Sequence, residues 1–376
     1  MSDAVSLVLV NGPPGSVQSP RALALFGEGT PVVYKERGRI GSVRAIGDAL
    51  RAVKSGWIYC IDLGLPAAPL AALHRARNRG VRLAFELGDA GRPLIAGGGG
   101  HPAKAAAAHW LDRNLPPRAD KLVFRGSYLA DYFGSIAAKP LPPSAWIPDG
   151  VDVDAFRPAR SSTEVATLRA RHGLQGRFVV GLVGSLHHNP VHNLFYGWEL
   201  AESLAKIPAD AAITGVVVGD GPGRAVLEAT RDRLGLGDRL RLIGRVPHAE
   251  VATWMNVFDL GLSTQTDDPV GWGRTTAKLP EYLACGLPLA CTDVGEAHRW
   301  LSGTGQALPY SGMRDETYPE RLAAHIVAAS GRDLEPTRVA NRSLALRLFD
   351  YRLLRDRLTD FLADRPHREP SPEPLA

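Results

Sequence analysis

Cysteine is scarce: Cys60, Cys285 and Cys291 are the three in a chain of 376 residues. Three thiols without a CxxC pair build neither a disulfide framework nor a zinc knuckle. All three lie in apolar stretches and read as buried, reduced thiols. Long hydrophobic runs are also missing. No stretch of about 18 apolar residues occurs, so no transmembrane helix is expected. The short apolar run near the N-terminus has no basic segment before it and does not read as a secretory signal, which points to the cytoplasm. Charge of one sign is not in large excess: 44 Lys and Arg against 39 Asp and Glu leave +5, spread without a basic block. That distribution argues against a nucleic-acid partner, while the mild surplus suits a small anionic ligand. There is no P-loop, GxSxG elbow or HExxH. His187, His188 and His192 are close in sequence, but no Cys or paired carboxylate stands at ligand spacing, so no metal site is expected.

What is present is ordinary globular material, 45% apolar and 22% charged, long enough for two domains. Strand-like apolar runs alternate with helix-period segments throughout, the pattern of α/β domains with parallel sheets. Strands are expected at Val5–Val10, Val32–Tyr34, Trp57–Ile61, Arg82–Glu86, Lys121–Phe124 and Ala145–Ile147, with helices over Ile46–Val53, Ala67–Asn78 and Ala103–Leu115. The stretch IPDGVDVDAFRPARSST then breaks the pattern and reads as a domain boundary. The alternation restarts with strands at Phe178–Val183, Ile213–Val218, Arg239–Leu242, Leu260–Ser263 and Pro288–Thr292. Between and after them, helices are expected over Leu194–Ala205, Arg224–Leu234, Ala249–Asn256, Leu279–Cys285 and Pro319–Ala329. The expected division is 1–150, 151–345, a final helix within 346–364 that returns to the first domain, and a disordered tail at 365–376. Two doubly wound domains facing each other imply a ligand cleft between them.

The segment from Gly271 to Glu296 carries the most chemistry. Pro280 lacks an N–H and is tolerated only in a first turn, which sets the helix start near Ala277. Arg274, Thr275 and Thr276 then precede a helix N-terminus, where free N–H groups favour an anion. Lys278 adds positive charge, and Glu281 shares its face, placed either to accept ribose hydroxyls or to form a local pair with Lys278. Three further turns follow predicted strands, where open α/β sheets bind ligands. They are Gly184–Ser185 with His187, the GDGP turn from Gly219, and Gly244–Arg245–Val246–Pro247. In the first half, Gly12 lies in a Pro-interrupted loop after the first strand, and Asp89 follows the fourth.

Several of these motifs, in this order, resemble the retaining nucleotide-sugar glycosyltransferases of GT-B fold, the family of glycogen synthase and mannosyltransferases. IPDGVDVDAFRP resembles their interdomain signature. VVVGDGPGRAVLEATRDRLGLGDRLRLIGRVP resembles their second-domain core, and EYLACGLPLACTDVGE their donor-site helix and strand. The resemblance implies two Rossmann-like domains, acceptor in the first and nucleotide sugar in the second. It implies transfer of a sugar to a hydroxyl acceptor (glycan, lipid-linked or small molecule) with retention, without a metal or further cofactor. Glu281 then holds the ribose, Gly244–Val246 borders the base, and Thr275 and Thr276 face the diphosphate. Arg274 and Lys278 supply its countercharge, and Gly12 and Asp89 lie on the acceptor side. A lipid-linked acceptor would bring peripheral membrane contact; no signal of oligomeric state is readable.

Three places depart from the family pattern. Gly273 stands where the family has the first of two glutamates. Gly88 stands where many relatives have a histidine. Ser185, His187 and His188 stand in a loop that normally offers Arg and Lys. These departures leave open a catalytically silent GT-B protein that binds nucleotide or glycan, or an enzyme forming a non-glycosidic bond.

Overall fold

Strands buried on both faces read as near-continuous apolar runs, and such strands pair in parallel with helices covering them. In the computed structural model, which describes residues 4–16, 18–35 and 38–366, two six-stranded sheets obey that rule, every neighbour running parallel. By their contacts the residues divide into two units. Of the described residues, the first holds those up to Gly150, then Trp272–Thr275, then 351–366; the second holds Val151–Gly271 and Thr276–Asp350.

The first unit begins β1 (Val5–Val10), α1 (Gln18–Phe26), β2 (Val32–Tyr34), α2 (Arg39–Ala52), β3 (Gly56–Ile61), α3 (Ala67–Arg77) and β4 (Val81–Leu87). It continues with α4 (Gly91–Gly97), α5 (Pro102–Asn114), β5 (Lys121–Phe124), α6 (Ser127–Ile136) and β6 (Ser144–Trp146). The strand order is β2-β1-β3-β4-β5-β6. The period-2 alternation of strands divides its side chains cleanly. Leu7, Leu9, Ile58, Cys60, Leu83 and Phe85 pack on one face with Ile46 and Leu50 of α2. Val8, Val10, Trp57, Tyr59, Ile61 and Ala84 pack on the other with Ala22 and Leu25 of α1.

The second unit runs α7 (Thr163–Arg171), β7 (Phe178–Val183), β8 (His188–Asn189), β9 (Leu194–Phe195), α8 (Trp198–Lys206), β10 (Ile213–Val218), α9 (Arg224–Arg233), β11 (Leu240–Gly244) and α10 (His248–Val257). β12 (Leu260–Ser263) and α11 (Pro269–Gly273) follow, then α12 (Lys278–Ala284), β13 (Leu289–Thr292), α13 (Gly295–Leu301), β14 (Ala307–Leu308), α14 (Tyr318–Ser330) and α15 (Glu335–Leu348). Its order, β11-β10-β7-β12-β13-β14, reverses direction between β7 and β12, the topological switch point of a dinucleotide-type sheet. α16 (Tyr351–Leu362) closes the chain. Its stripe Leu354, Leu358, Phe361 and Leu362 is buried against Val8, Tyr59 and Val123 of the first sheet, at the i, i+4, i+7, i+8 spacing of an amphipathic helix.

Several expectations need correction. The loop after β7 carries a short antiparallel hairpin, β8 with β9. The next helix starts at Trp198 rather than Leu194, because Gly197 in the left-handed region (φ 95°) cannot continue it. The second unit extends to Asp350 rather than 345, and Trp272–Thr275 group with the first unit. α1, α4, α6, α7, α11, α13 and α15 had no counterpart in the sequence reading. α7 nonetheless has a legible cap, Ser162 accepting from the Val165 N–H at 3.3 Å. Of the tail expected to be disordered, 367–376 lies outside the described residues. The three cysteines are free and buried; burial pushes the Cys285 and Cys291 thiols up to about 12, which leaves them unreactive at neutral pH.

Candidate functional site

The carboxyl ends of β7, β10 and β11 each finish in a glycine turn, and the three turns interlock through the main chain. The Gly184 N–H donates to Val218 O at 3.0 Å, Gly219 N–H to Gly244 O at 2.9 Å, and Leu186 N–H to Asp220 O at 3.1 Å. Gly219 is at φ +145°, and a Cβ there would lie 1.8 Å from the Gly184 carbonyl oxygen. No other residue fits. Behind the turns opens a pocket of about 550 Å³, lined by Val183, Gly184, Ser185, Val218, Gly219, Asp220, Gly221, Arg245, Val246, Val251 and Lys278.

Lys278 enters this lining from the first turn of α12, whose N-cap is Ala277, as the position of Pro280 required. Its Nζ donates to Glu281 Oε2 at 2.6 Å, and Glu281 is buried. The local pair therefore forms; Glu281 reaches the pocket through Lys278 and is not itself part of the lining. α12 is fixed to β7 by Tyr282, fully buried, whose hydroxyl accepts from the Val183 N–H at 2.8 Å. Tyr282 and Val251 were missed at the sequence level, since a buried aromatic on a helix carries no mark of what it caps.

The pocket thus brings together Gly184, Ser185, Gly219, Arg245, Val246 and Lys278. Other expected site residues lie elsewhere. His187 is exposed in the hairpin loop, its carbonyl accepting from Tyr196 N–H at 3.0 Å. The Thr276 hydroxyl accepts from the Lys278 N–H at 3.3 Å. Thr275 and Arg274 group with the first unit. There the Thr275 hydroxyl donates to Asp149 Oδ2. Gly12 is buried, its carbonyl accepting from Lys35 N–H at 3.0 Å.

The carboxyl edge of the first sheet is built differently, from charged side chains. Arg21 of α1, 1% exposed, donates to Glu86 Oε1 at 2.8 Å and to the Pro148 and Ile147 carbonyls at 2.6 and 2.8 Å. The Tyr59 hydroxyl donates to the other Glu86 oxygen at 2.7 Å. Arg125, just past β5, donates to Asp62 at 2.7 Å and stands 3.6 Å from Asp149. Its guanidinium occupies the place a side chain at 88 would take: a Cβ on Gly88 would lie 1.5 Å from an Arg125 nitrogen. The glycine that departs from the family pattern therefore makes room for this arginine.

Burial raises the Asp149 carboxyl, but Arg125, Arg21 and the Thr275 hydroxyl outweigh it and hold the group below its ordinary value. Asp89 makes no such bond among the described residues. Burial, with Asp62 and Asp149 nearby, pushes it up to about 6 against the pull of Arg125 and Arg274. Of this network Asp149 stood in the interdomain stretch, Glu86 at the end of the expected fourth strand and Asp89 after it, whereas Arg21, Asp62 and Arg125 were missed. The signal was a single charge just past an apolar run, as Asp62 follows WIYCI and Arg125 follows LVF. No group of three His, Cys, Asp or Glu able to hold a metal occurs among the described residues, and no helix among them is long and apolar enough to cross a membrane.

Comparison with known proteins bears on both units. Residues 177–329 match the family model described as Glycosyl transferases group 1. The chain is 35% identical over 153 residues to the 2-deoxystreptamine glucosyltransferase of Streptomyces kanamyceticus, covering 40% of this chain and 36% of that protein. It is 27% identical over 158 residues to the alpha-D-kanosaminyltransferase of the same organism, covering 42% and 39%. The match thus spans little more than a third of these relatives' length. Among solved structures, Anabaena HepE in complex with UDP and glucose aligns over 96% of this chain and 99% of its own, at 18% identity and a TM-score of 0.72. The sucrose-phosphate synthase of Thermosynechococcus elongatus aligns over 95% and 98%, at 14% identity and 0.67. Residues 177–329 are thus similar to the Glycosyl transferases group 1 family, within a chain that has the two-unit α/β fold of the GT-B glycosyltransferase structures.

Proposed function

We propose that this protein is a glycosyltransferase that moves a sugar from a nucleoside-diphosphate sugar to a hydroxyl acceptor, with retained anomeric configuration. The observation that carries the reading is the second unit's pocket. Glycine turns hold the chain back at the carboxyl ends of three parallel strands, and Lys278 and Arg245 line the space they leave. In the reaction the bond from the anomeric carbon to the diphosphate oxygen breaks, and the diphosphate departs with the electron pair. A new bond forms from the acceptor oxygen on the same face, and its proton passes to the departing phosphate.

Lys278, with Arg274 four residues before it, is assigned the charge that develops on the leaving group, so the reading calls for no metal. Such preorganised stabilisation is typically worth about 3–4 kcal/mol per donor. Glu281, already oriented by Lys278, is assigned the ribose hydroxyls, and Asp89 and Gly12 the acceptor side. The solved neighbours bound to UDP make UDP-sugars the first donors to try.

The test is a thermal-shift and turnover panel of UDP-, GDP-, ADP- and dTDP-sugars, since a ligand that binds only the folded state raises the melting temperature. Lys278→Ala and Glu281→Ala are each expected to weaken nucleotide binding about tenfold, the loss of one charge-assisted hydrogen bond. Unchanged affinity in both would place the pocket elsewhere. A second reading, binding without turnover, is favoured by Gly273, which offers no carboxylate and has Leu129 3.2 Å from where its Cβ would stand. Tight nucleotide binding with no turnover of any donor would select it.

A further inference from the structure

Among the buried carboxyls of the second unit that the proposed reaction does not use, Glu199 is set apart by its surroundings. Glu199, in the first turn of α8, is 5% exposed, and its Oε2 has no hydrogen-bond partner among the described residues. Its electrostatic neighbours are mostly phenols: Tyr196 before the helix, Tyr310 after β14, and Tyr318 at the head of α14. The Tyr318 hydroxyl is buried without a hydrogen-bond partner as well. Thr264, just past β12, and Trp198 on the same helix reach the carboxyl, and the cation in range is Arg314. On the packed helices Glu202 pairs with Arg233 of α9, Arg224 with Glu228 within α9, and Arg321 of α14 with Asp315; α14 also carries Glu320 and His325.

Arg314 already has three tasks. Its guanidinium lies 3.8 Å from the centre of the Trp198 ring, its Nε pairs with Glu316 at 2.7 Å, and one terminal nitrogen donates to the Asn193 carbonyl at 2.8 Å. Asn193 lies in the turn between β8 and β9, so Arg314 holds the tip of that hairpin. The base of the hairpin is the pocket wall. Leu186 exchanges main-chain bonds with Asp220 (3.1 Å) and Gly223 (2.7 Å), and the preceding Ser185 lines the pocket.

We propose that Glu199 and Arg314 are positioning residues for the nucleotide pocket: neutral Glu199 leaves Arg314 on the hairpin, and ionised Glu199 draws it off the Asn193 carbonyl and loosens the wall at Ser185. The proposal rests on the nucleotide reading of that pocket. A carboxylate in an apolar, phenol-lined site is costly unless a cation joins it. No ion pair joins Glu199 to Arg314 among the described residues, so an ionised carboxylate pulls the guanidinium away from the partners it now has, Asn193 among them. Burial pushes the Glu199 carboxyl up to about 7, against the pull of Thr264, Arg314 and Trp198, so the change falls in the neutral range. Proton binding therefore favours the closed hairpin, and the effect fades as pH rises through that value.

The experiment is calorimetric titration with UDP, GDP, ADP and dTDP at about pH 6 and about pH 8.5, on either side of the Glu199 titration. The wild type, Glu199→Gln and Arg314→Met are compared. For the nucleotide that binds, wild-type affinity should fall about fivefold at the higher pH, an ordinary coupling. Glu199→Gln should keep the low-pH affinity at both, and Arg314→Met should bind weakly at both with no slope. Parallel losses in wild type and Glu199→Gln would overturn the proposal, as would a wild-type slope in Arg314→Met. If no nucleotide binds the wild type at pH 6, the reading of the pocket fails instead. The hairpin then remains testable by hydrogen exchange of the 187–195 amides. Protection that falls with pH in the wild type is expected; protection independent of pH overturns the latch, even if Glu199→Gln does not fold.

Discussion

The carboxyl edges of the two sheets are made of different material. In the second unit the pocket is a main-chain object: three glycine turns bonded to one another, with Lys278, Arg245 and Asp220 as its charged side chains. In the first unit the equivalent edge is a side-chain object, an interlocked set of Arg21, Glu86, Tyr59, Arg125, Asp62 and Asp149. The first kind of site tolerates almost any neighbouring side chain but no Cβ at its turns. The second tolerates backbone drift but not the loss of one charge, because a buried partner is then left unpaired.

That contrast can be broken by substitution. The largest effect is expected at Gly219→Val, where the Cβ collides with the Gly184 carbonyl and φ is +145°. Strain and overpacking together should cost about 4 kcal/mol and abolish nucleotide binding in calorimetry. A Glu86→Ala variant should cost the first unit about 3–4 kcal/mol in urea unfolding, the usual penalty for an orphaned buried cation, while nucleotide affinity stays within twofold. Loss of nucleotide binding there would show that the two edges are not independent. Gly88→Ala should cost about 2 kcal/mol by displacing Arg125, as overpacking does; a neutral result would show that Arg125 has a second resting place.

The pH dependence sharpens the comparison further. Asp89 is raised from its ordinary 3.8 to about 6, so it stabilises the fold fully below the lower value and progressively less as pH rises through the upper one. Asp89→Asn should flatten the unfolding free energy across that window, measured as urea midpoint against pH. The smallest effect is expected at Arg51→Ala. Its pair with Asp48 is mostly exposed, and the change should stay within about 0.5 kcal/mol in the same assay.

The glycine-built site was the more legible of the two. Strands such as Phe178–Val183 and Ile213–Val218 announce themselves as apolar runs, and the turns that end them as GS and GDGP. Pro280 dated the start of α12 from one missing N–H. The hairpin β8–β9 was not legible, because strands of two residues are too short to show a periodicity of their own. The charged edge was hidden for a related reason. Arg21 meets Glu86 across 65 positions and Arg125 meets Asp62 across 63, and no local pattern encodes a partner that far away.

By itself the sequence determined the repeated α/β alternation, two sheets of parallel strands, and the glycine turns at their carboxyl ends. Those features follow from properties local to a few residues: apolar runs, a proline without a donor, a glycine without a Cβ. The tertiary structure decided which charges are buried together. It set Arg125 in the space Gly88 leaves, tied Thr275 to Asp149, and enclosed Glu199 among phenols. Coulomb energies and desolvation depend on distance through space and on what excludes water, and those quantities exist only once the chain has folded.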